Sequence, residues 1–99
     1  MIETIRKQPA EVVKIVFDFT DVLGSAATIA SITSITSTNC GVVSGSVALT
    51  LSGQSFAGRK VTCFGAAGTA GETYKQTAIA VDSDGQTVEL DGYVEVVEL

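Results

Sequence analysis

Gly68-Thr69-Ala70-Gly71-Glu72-Thr73-Tyr74-Lys75-Gln76-Thr77, continuing through Asp82-Ser83-Asp84-Gly85 to Val96, decides the fold. A glycine-rich corner delivers Tyr74 to the start of an alternating strand, Tyr74 to Val81, and Gln86 to Val97 returns alongside it. Asp84-Gly85 is the natural tight turn between them, because Asp and Gly tolerate the positive φ angles that such hairpins need. On the returning strand Val88, Leu90, Val94 and Val96 share one face while Glu89, Asp91 and Glu95 share the other, the pattern of a sheet with one buried side.

Upstream, Arg59 to Phe64 reads as another short strand, with Val61 and Cys63 facing in and Lys60 and Thr62 facing out. Val47-Ala48-Leu49-Thr50-Leu51 alternates before Ser52-Gly53-Gln54, which is expected to break it, and Thr38-Asn39-Cys40-Gly41 is a turn signal. Between Ala26 and Ser37 the chain is β-branched and hydroxylated. Ile29, Ile32 and Ile35 recur there at a helical spacing of three. Strand is still the better reading, since Ser and Thr compete with helical hydrogen bonds and a bulge or bend would reset the inward face. Val12 to Thr20 alternates plainly, with Val13, Ile15, Phe17 and Phe19 on one side.

About seven short strands at spacings of roughly ten residues, a single proline and no amphipathic helix predict an all-β, two-sheet antiparallel sandwich. Its closing hairpin with a tyrosine at the corner points to the immunoglobulin-like kind. Residues 11–99 form the expected sandwich and residues 1–10 stand apart as an N-terminal arm or edge strand. Ile2 and Ile5 could also share one helical turn, which Pro9 would stop.

Composition narrows the function. The 99 residues hold one core and no second lobe, so a large interdomain substrate cleft is not expected. A formal charge of -5, with no basic face, argues against nucleic acid. The uncharged run from Val22 to Gly58 is long enough to span a bilayer. It is filled with Ser, Thr, Gly and Asn, however, so no membrane helix is expected. The opening residues lack the apolar stretch of a secretory signal, which makes the cytoplasm the expected site of synthesis.

The absence of histidine removes Ser-His-Asp, Cys-His and His-ligated metal templates. Asp18 with Asp21, and Glu89 with Asp91 and Glu95, are the nearest paired carboxylates, and a solvated strand face accounts for the second group. No catalytic, cofactor or metal site is assigned. Asp82-Ser83-Asp84-Gly85 imitates the start of a calcium loop, but Tyr93 stands where the twelfth-position glutamate belongs. Gly65 to Gly71 lacks the lysine and following helix of a phosphate loop and reads as a glycine-rich connection. Cys40 and Cys63 have no Cys-x-x-Cys spacing. Small apolar fillers are the plain expectation, with an intramolecular pair or an intersubunit bridge as alternatives. One positive feature remains, a charge-poor stretch over residues 25–58 suited to contact with other protein chains.

The ordered set Lys7-Gln8-Pro9-Ala10-Glu11-Val12, Phe17-Asp18-Phe19 with Leu23, Ala27-Thr28-Ile29-Ala30-Ser31, Gly68 to Tyr74 and Ser83-Asp84-Gly85-Gln86-Thr87 resembles the small immunoglobulin-like virion proteins of tailed bacteriophages and prophages. That group includes fiber-tail adaptors and head or tail accessory proteins. The chain departs from it at Phe19, where tryptophan is frequent, and in its acidic end, where relatives often finish with basic residues. The resemblance implies a non-enzymatic virion component made in the host cytoplasm and present in multiple copies in a symmetric assembly. Its partners would be other virion proteins: connector, tail or fiber, or the major capsid protein.

A neck or tail adaptor is the leading reading, a capsid decoration protein the runner-up, and a carbohydrate-binding module the alternative from another class. A sugar binder needs exposed aromatics, and there is no tryptophan, only Tyr74 and Tyr93 with plausible packing roles. In an adaptor the expected contact residues are Ile2, Ile5 and Arg6 in the arm and Thr28, Ile29, Ile32, Thr33 and Ile35 in the uncharged segment. Gly71, Tyr74, Asp84 and Gly85 would hold the corner and the turn.

Overall fold

The structure, a computed structural model, describes residues 4–24, 26–40 and 49–98. Seven strands follow in order: β1 Thr4–Lys7, β2 Val13–Asp18, β3 Ile29–Asn39, β4 Leu49–Ala57, β5 Lys60–Ala67, β6 Thr73–Asp82 and β7 Thr87–Val96. They form a four-stranded sheet in the order β1-β7-β6-β3 and a three-stranded sheet in the order β2-β5-β4. All pairs are antiparallel except β1 on β7, which is parallel. The two sheets make the expected all-β sandwich. Its core is built from alternate residues of both, with Ile15, Phe17, Val61 and Cys63 from one sheet facing Ile29, Tyr74, Ala78, Ala80, Leu90, Val94 and Val96 from the other.

Strict alternation produces β6 and β7. Tyr74, Gln76, Ala78, Ala80 and Asp82 are all buried while the residues between them are half-buried; in β7 Val88, Leu90, Gly92, Val94 and Val96 are buried, with Glu89 exposed and Asp91, Tyr93 and Glu95 half-buried between them. β3 obeys a different rule. Ile29, Ile32 and Ile35 pair with Asp82, Ala80 and Ala78, three residues on β3 against two on β6 each time. Register shifts fall in both intervals, between Ile29 and Ser31 and between Ile32 and Ser34, so each extra residue returns the next isoleucine to the core side. A spacing of three is here a doubly bulged strand.

Several expectations are corrected. Ser52-Gly53-Gln54 does not end its strand. β4 runs on to Ala57, with a register shift between Ser52 and Ser55 that Gly53 accommodates at φ 62°. Gly65, Ala66 and Ala67 are strand, not connection, leaving only residues 68–72 as the corner. The β6–β7 turn is a four-residue loop in which Gly85 alone takes positive φ (84°); Asp84 does not. Instead Asp82 organises it: its Oδ1 accepts the N–H of Asp84 (3.0 Å) and of Gln86 (2.8 Å), tying the loop closed from beneath. Thr38 and Asn39 belong to β3, whereas Gly41, Val47 and Ala48 lie outside the described residues.

Cys63 is buried and Cys40 exposed, and the two are unbridged, so the intramolecular pair is not formed. Burial pushes the Cys63 thiol from its ordinary 9.0 up to about 11. Between those values the folded chain retains a proton that the unfolded chain has lost, so stability is intact below pH 9 and falls as pH rises toward 11. The expected loss is roughly 2–3 kcal/mol, at about 1.4 kcal/mol per pKa unit. Urea titrations at pH 8, 9, 10 and 11 on the wild type and on Cys63→Ala measure it; the difference isolates the thiol from Lys7, whose lowered pKa acts in the opposite sense. A parallel pH dependence in both chains would contradict the assignment.

Candidate protein-contact surface

The expected contact residues that the structure describes lie on or beside β1 and β3, the two outer strands of the four-stranded sheet. On one edge, β1 continues the sheet in register with β7, Thr4 to Lys7 lying against Tyr93 to Val96. Ile5 is half-buried and packs on the core, and with Phe17, Leu90 and Tyr93 it lines a side pocket between the sheets. Arg6 is largely exposed and reaches Glu95 on the neighbouring strand (3.8 Å), a solvent-screened pair of little energetic weight. Ile2 lies outside the described residues.

Lys7 is the residue that sequence reasoning missed. Its side chain is only 1% exposed. The Nζ donates to three backbone carbonyls, Ala67 O (2.6 Å), Gln8 O (2.7 Å) and Pro9 O (3.2 Å). Desolvation lowers its pKa, opposed in part by Glu11 nearby. Ala67 sits at φ 64°, the left-handed region a non-glycine residue rarely enters, and its carbonyl makes the shortest bond to the ammonium. The paired basic letters Arg6-Lys7 hid this. Only the inward parity that Lys7 shares with Ile5 could have signalled it.

On the other edge, β3 exposes Ala30, Ser31, Thr33, Thr36 and Thr38, and Thr28 is exposed just before it. Ile29 is buried, while Ile32 and Ile35 are partly buried against the core. Ile29 is therefore a core residue and unavailable as a contact; Thr28, Thr33 and the flanks of Ile32 and Ile35 remain at the edge. No charged residue occurs from Ile29 to Asn39. The loop before β3 is fastened to the β6–β7 turn, with Ser83 N donating to Thr28 O (2.7 Å) and Thr28 N to Ser83 Oγ (3.1 Å).

The corner residues behave structurally. Tyr74 is buried, and its hydroxyl accepts the N–H of Thr69 (3.0 Å), closing the five-residue corner over the core. Gly71 takes φ 91° and donates its N–H to Val96 O (2.8 Å), joining the corner to β7.

Asp18 and Asp91 are committed to neighbouring side chains. Thr20 donates to Asp18 through its hydroxyl and N–H and holds that carboxyl below the usual range, chiefly through the hydroxyl. Asp91 accepts from Thr77 Oγ1 (2.8 Å) and lies 3.6 Å from Lys75. Among the described residues no three His, Cys, Asp or Glu side chains gather as metal ligands. The parity of β5 also turns Phe64 outward with Lys60 and Thr62. It is 39% exposed, its ring resting over the Gly53 bulge, where a Cβ would stand 3.0 Å from Phe64 Cδ2.

A small sandwich whose distinctive surfaces are sheet edges and an uncharged strand belongs to the class of structural contact modules. The family model for "Podophage GP4 fiber-tail adaptor protein gp77" matches residues 7–95, and the chain belongs to that family. It is a non-enzymatic structural component of the tail of a podophage virion, a fiber-tail adaptor. No curated protein matches the sequence.

Proposed function

We propose that the chain joins fiber to tail by binding protein partners along the two opposite edges of its four-stranded sheet, β3 on one side and β1 on the other. A module that contacts partners at both ends of one sheet is bivalent by construction, which is what an adaptor requires. The observation that carries this reading is β3 itself, an 11-residue edge strand with no charge and no proline. Among the described residues no further strand is laid on this edge, although Ile29 N at its start donates to Gly58 O (2.8 Å); such edges are usually blunted by lysine, proline or cover unless a partner adds a strand or packs against them. Ile5 and Arg6 are the proposed contacts on the β1 edge; copies repeated around the tail axis are the proposed arrangement.

The immunoglobulin-like reading of the sandwich is likewise proposed. It is supported by the order β2-β5-β4 opposite β7-β6-β3, by the parallel first and last strands, and by the tyrosine at the β5–β6 corner.

The test is incorporation into particles. Thr33→Lys with Thr36→Lys places two charges on an exposed edge while leaving the core untouched. The variant is expected to fold with an unchanged melting temperature and to enter virions at least about tenfold less well, since an edge charge opposes strand addition. Normal incorporation with fibers attached would overturn the β3 contact. Removing residues 1–10 is a poorer experiment, because it also strips Ile5 from the core and Lys7 from its carbonyls.

A further inference from the structure

Two of the three carbonyls that hold the Lys7 ammonium, Gln8 O and Pro9 O, belong to the same segment as the lysine; only Ala67 O belongs to the body of the sandwich. The arm therefore carries most of its own cage with it. The body supplies a fixed receptor: the β7 rim from Tyr93 to Val96, the Val97 N–H that donates to Lys7 O (2.8 Å), and the Ala67 carbonyl held in place by a left-handed backbone. This receptor reads an extended Ile-x-Lys segment by three features. A parallel ladder takes its backbone, the core edge beside Phe17 and Leu90 takes the isoleucine, and a single aimed carbonyl takes the lysine. None of the three requires that the segment come from the same chain.

We infer that this rim is a strand receptor whose partner is β1 of a second copy, each adaptor passing its N-terminal strand to the next. The inference rests on the reading of the β1 edge as a contact: an exchanged β1 lies by its inner edge on β7 of a second copy and still presents its outer edge to a fiber or tail protein. β1 is suited to such transfer because its ladder is only four residues long and the segment from Gln8 to Val12 can swing without unpairing any other strand. Within one copy a short connector gives the strand an effective concentration in the millimolar range, so exchange wins only where copies are crowded to a similar level, as they would be around a tail.

Thr4 and Tyr93 are register partners, which provides the test. Two full-length chains, one Thr4→Cys and one Tyr93→Cys, both carrying Cys40→Ser to remove the exposed thiol, are mixed at millimolar concentration and oxidised. Neither can close on itself. Exchange predicts a disulfide heterodimer in about tenfold excess over the two homodimers, and loss of that excess when the donor chain also carries Lys7→Met. A single chain with both cysteines shows that the pair can be bridged. If that chain closes internally while the mixture gives no heterodimer excess, or if Lys7→Met leaves the excess unchanged, the receptor is wrong. Such a failure leaves the β3 contact standing, because particle incorporation of the Thr33 and Thr36 variant is a separate readout.

Discussion

Gly68→Ala is expected to destabilise the fold by about 3 kcal/mol, to be read as a lower urea midpoint with an unchanged slope. Two costs combine. Gly68 has φ 90°, where any side chain loses roughly 1 kcal/mol against the neighbouring carbonyl. A Cβ there would also stand 2.9 Å from Val96 Cγ2 and 3.3 Å from Tyr74 Cε1, and both side chains are fully buried. Overpacking of that kind adds about 1–3 kcal/mol. The strain is local to the corner, so the amide of Thr69, which donates to the Tyr74 hydroxyl, is expected to exchange faster in the variant. Gly24→Ala is the matched control, since a Cβ at Gly24 meets nothing within 4 Å and its φ is ordinary. Equal stability of Gly68→Ala and wild type would remove the packed corner from the account.

Lys7→Met is expected to cost about 2 kcal/mol, the order of a lost hydrogen bond to a charged group. Methionine keeps most of the buried stem and so separates the ammonium from the packing. Two opposed effects meet in this figure. Removing the cation relieves its desolvation, which alone would stabilise the fold, but it leaves the Ala67 carbonyl without its donor while the backbone is still held at φ 64°. The signature is regional. The N–H groups of the β1–β7 ladder and of Val97 lose protection, whereas those of the β6–β3 ladder do not. Uniform loss of protection across both would mean that Lys7 supports the core in general and fastens no particular strand.

Strands with one buried face could be read directly from the sequence, because burial alternates with every residue in β6 and β7 and nearly so in β2. The same parity placed Val61 and Cys63 inside, and carried one step further it also turns Phe64 outward. Harder to read were the places where a backbone irregularity changes the count. Gly53 looks like the end of a strand because glycine serves both a break and a bulge, and only the partner strand decides between them. Ile29, Ile32 and Ile35 match a helix as well as a strand with two bulges, and it was their hydroxylated neighbours that favoured the strand.

The buried polar residues were the least legible. Gln76 and Asp82 have the inward parity of Tyr74, Ala78 and Ala80, yet a polar letter at the core is ordinarily read as a surface position. Asp82 is there to hold the turn, and Lys7 to hold the arm. As for the proposed contact surface, burial of Ile29 shows that the isoleucines of the uncharged run chiefly build the core, while its hydroxyl side chains form the exposed edge.

The most direct measurement places a photocrosslinking residue at single positions of the adaptor within assembled virions. Thr36 reports on the β3 edge and Thr62 on the outer face of the three-stranded sheet. Crosslinks from Thr36 to a fiber or tail protein, with Thr62 giving few or none, are the predicted result. Crosslinks from Thr62 alone, with Thr36 silent, would contradict the edge as the joint between fiber and tail.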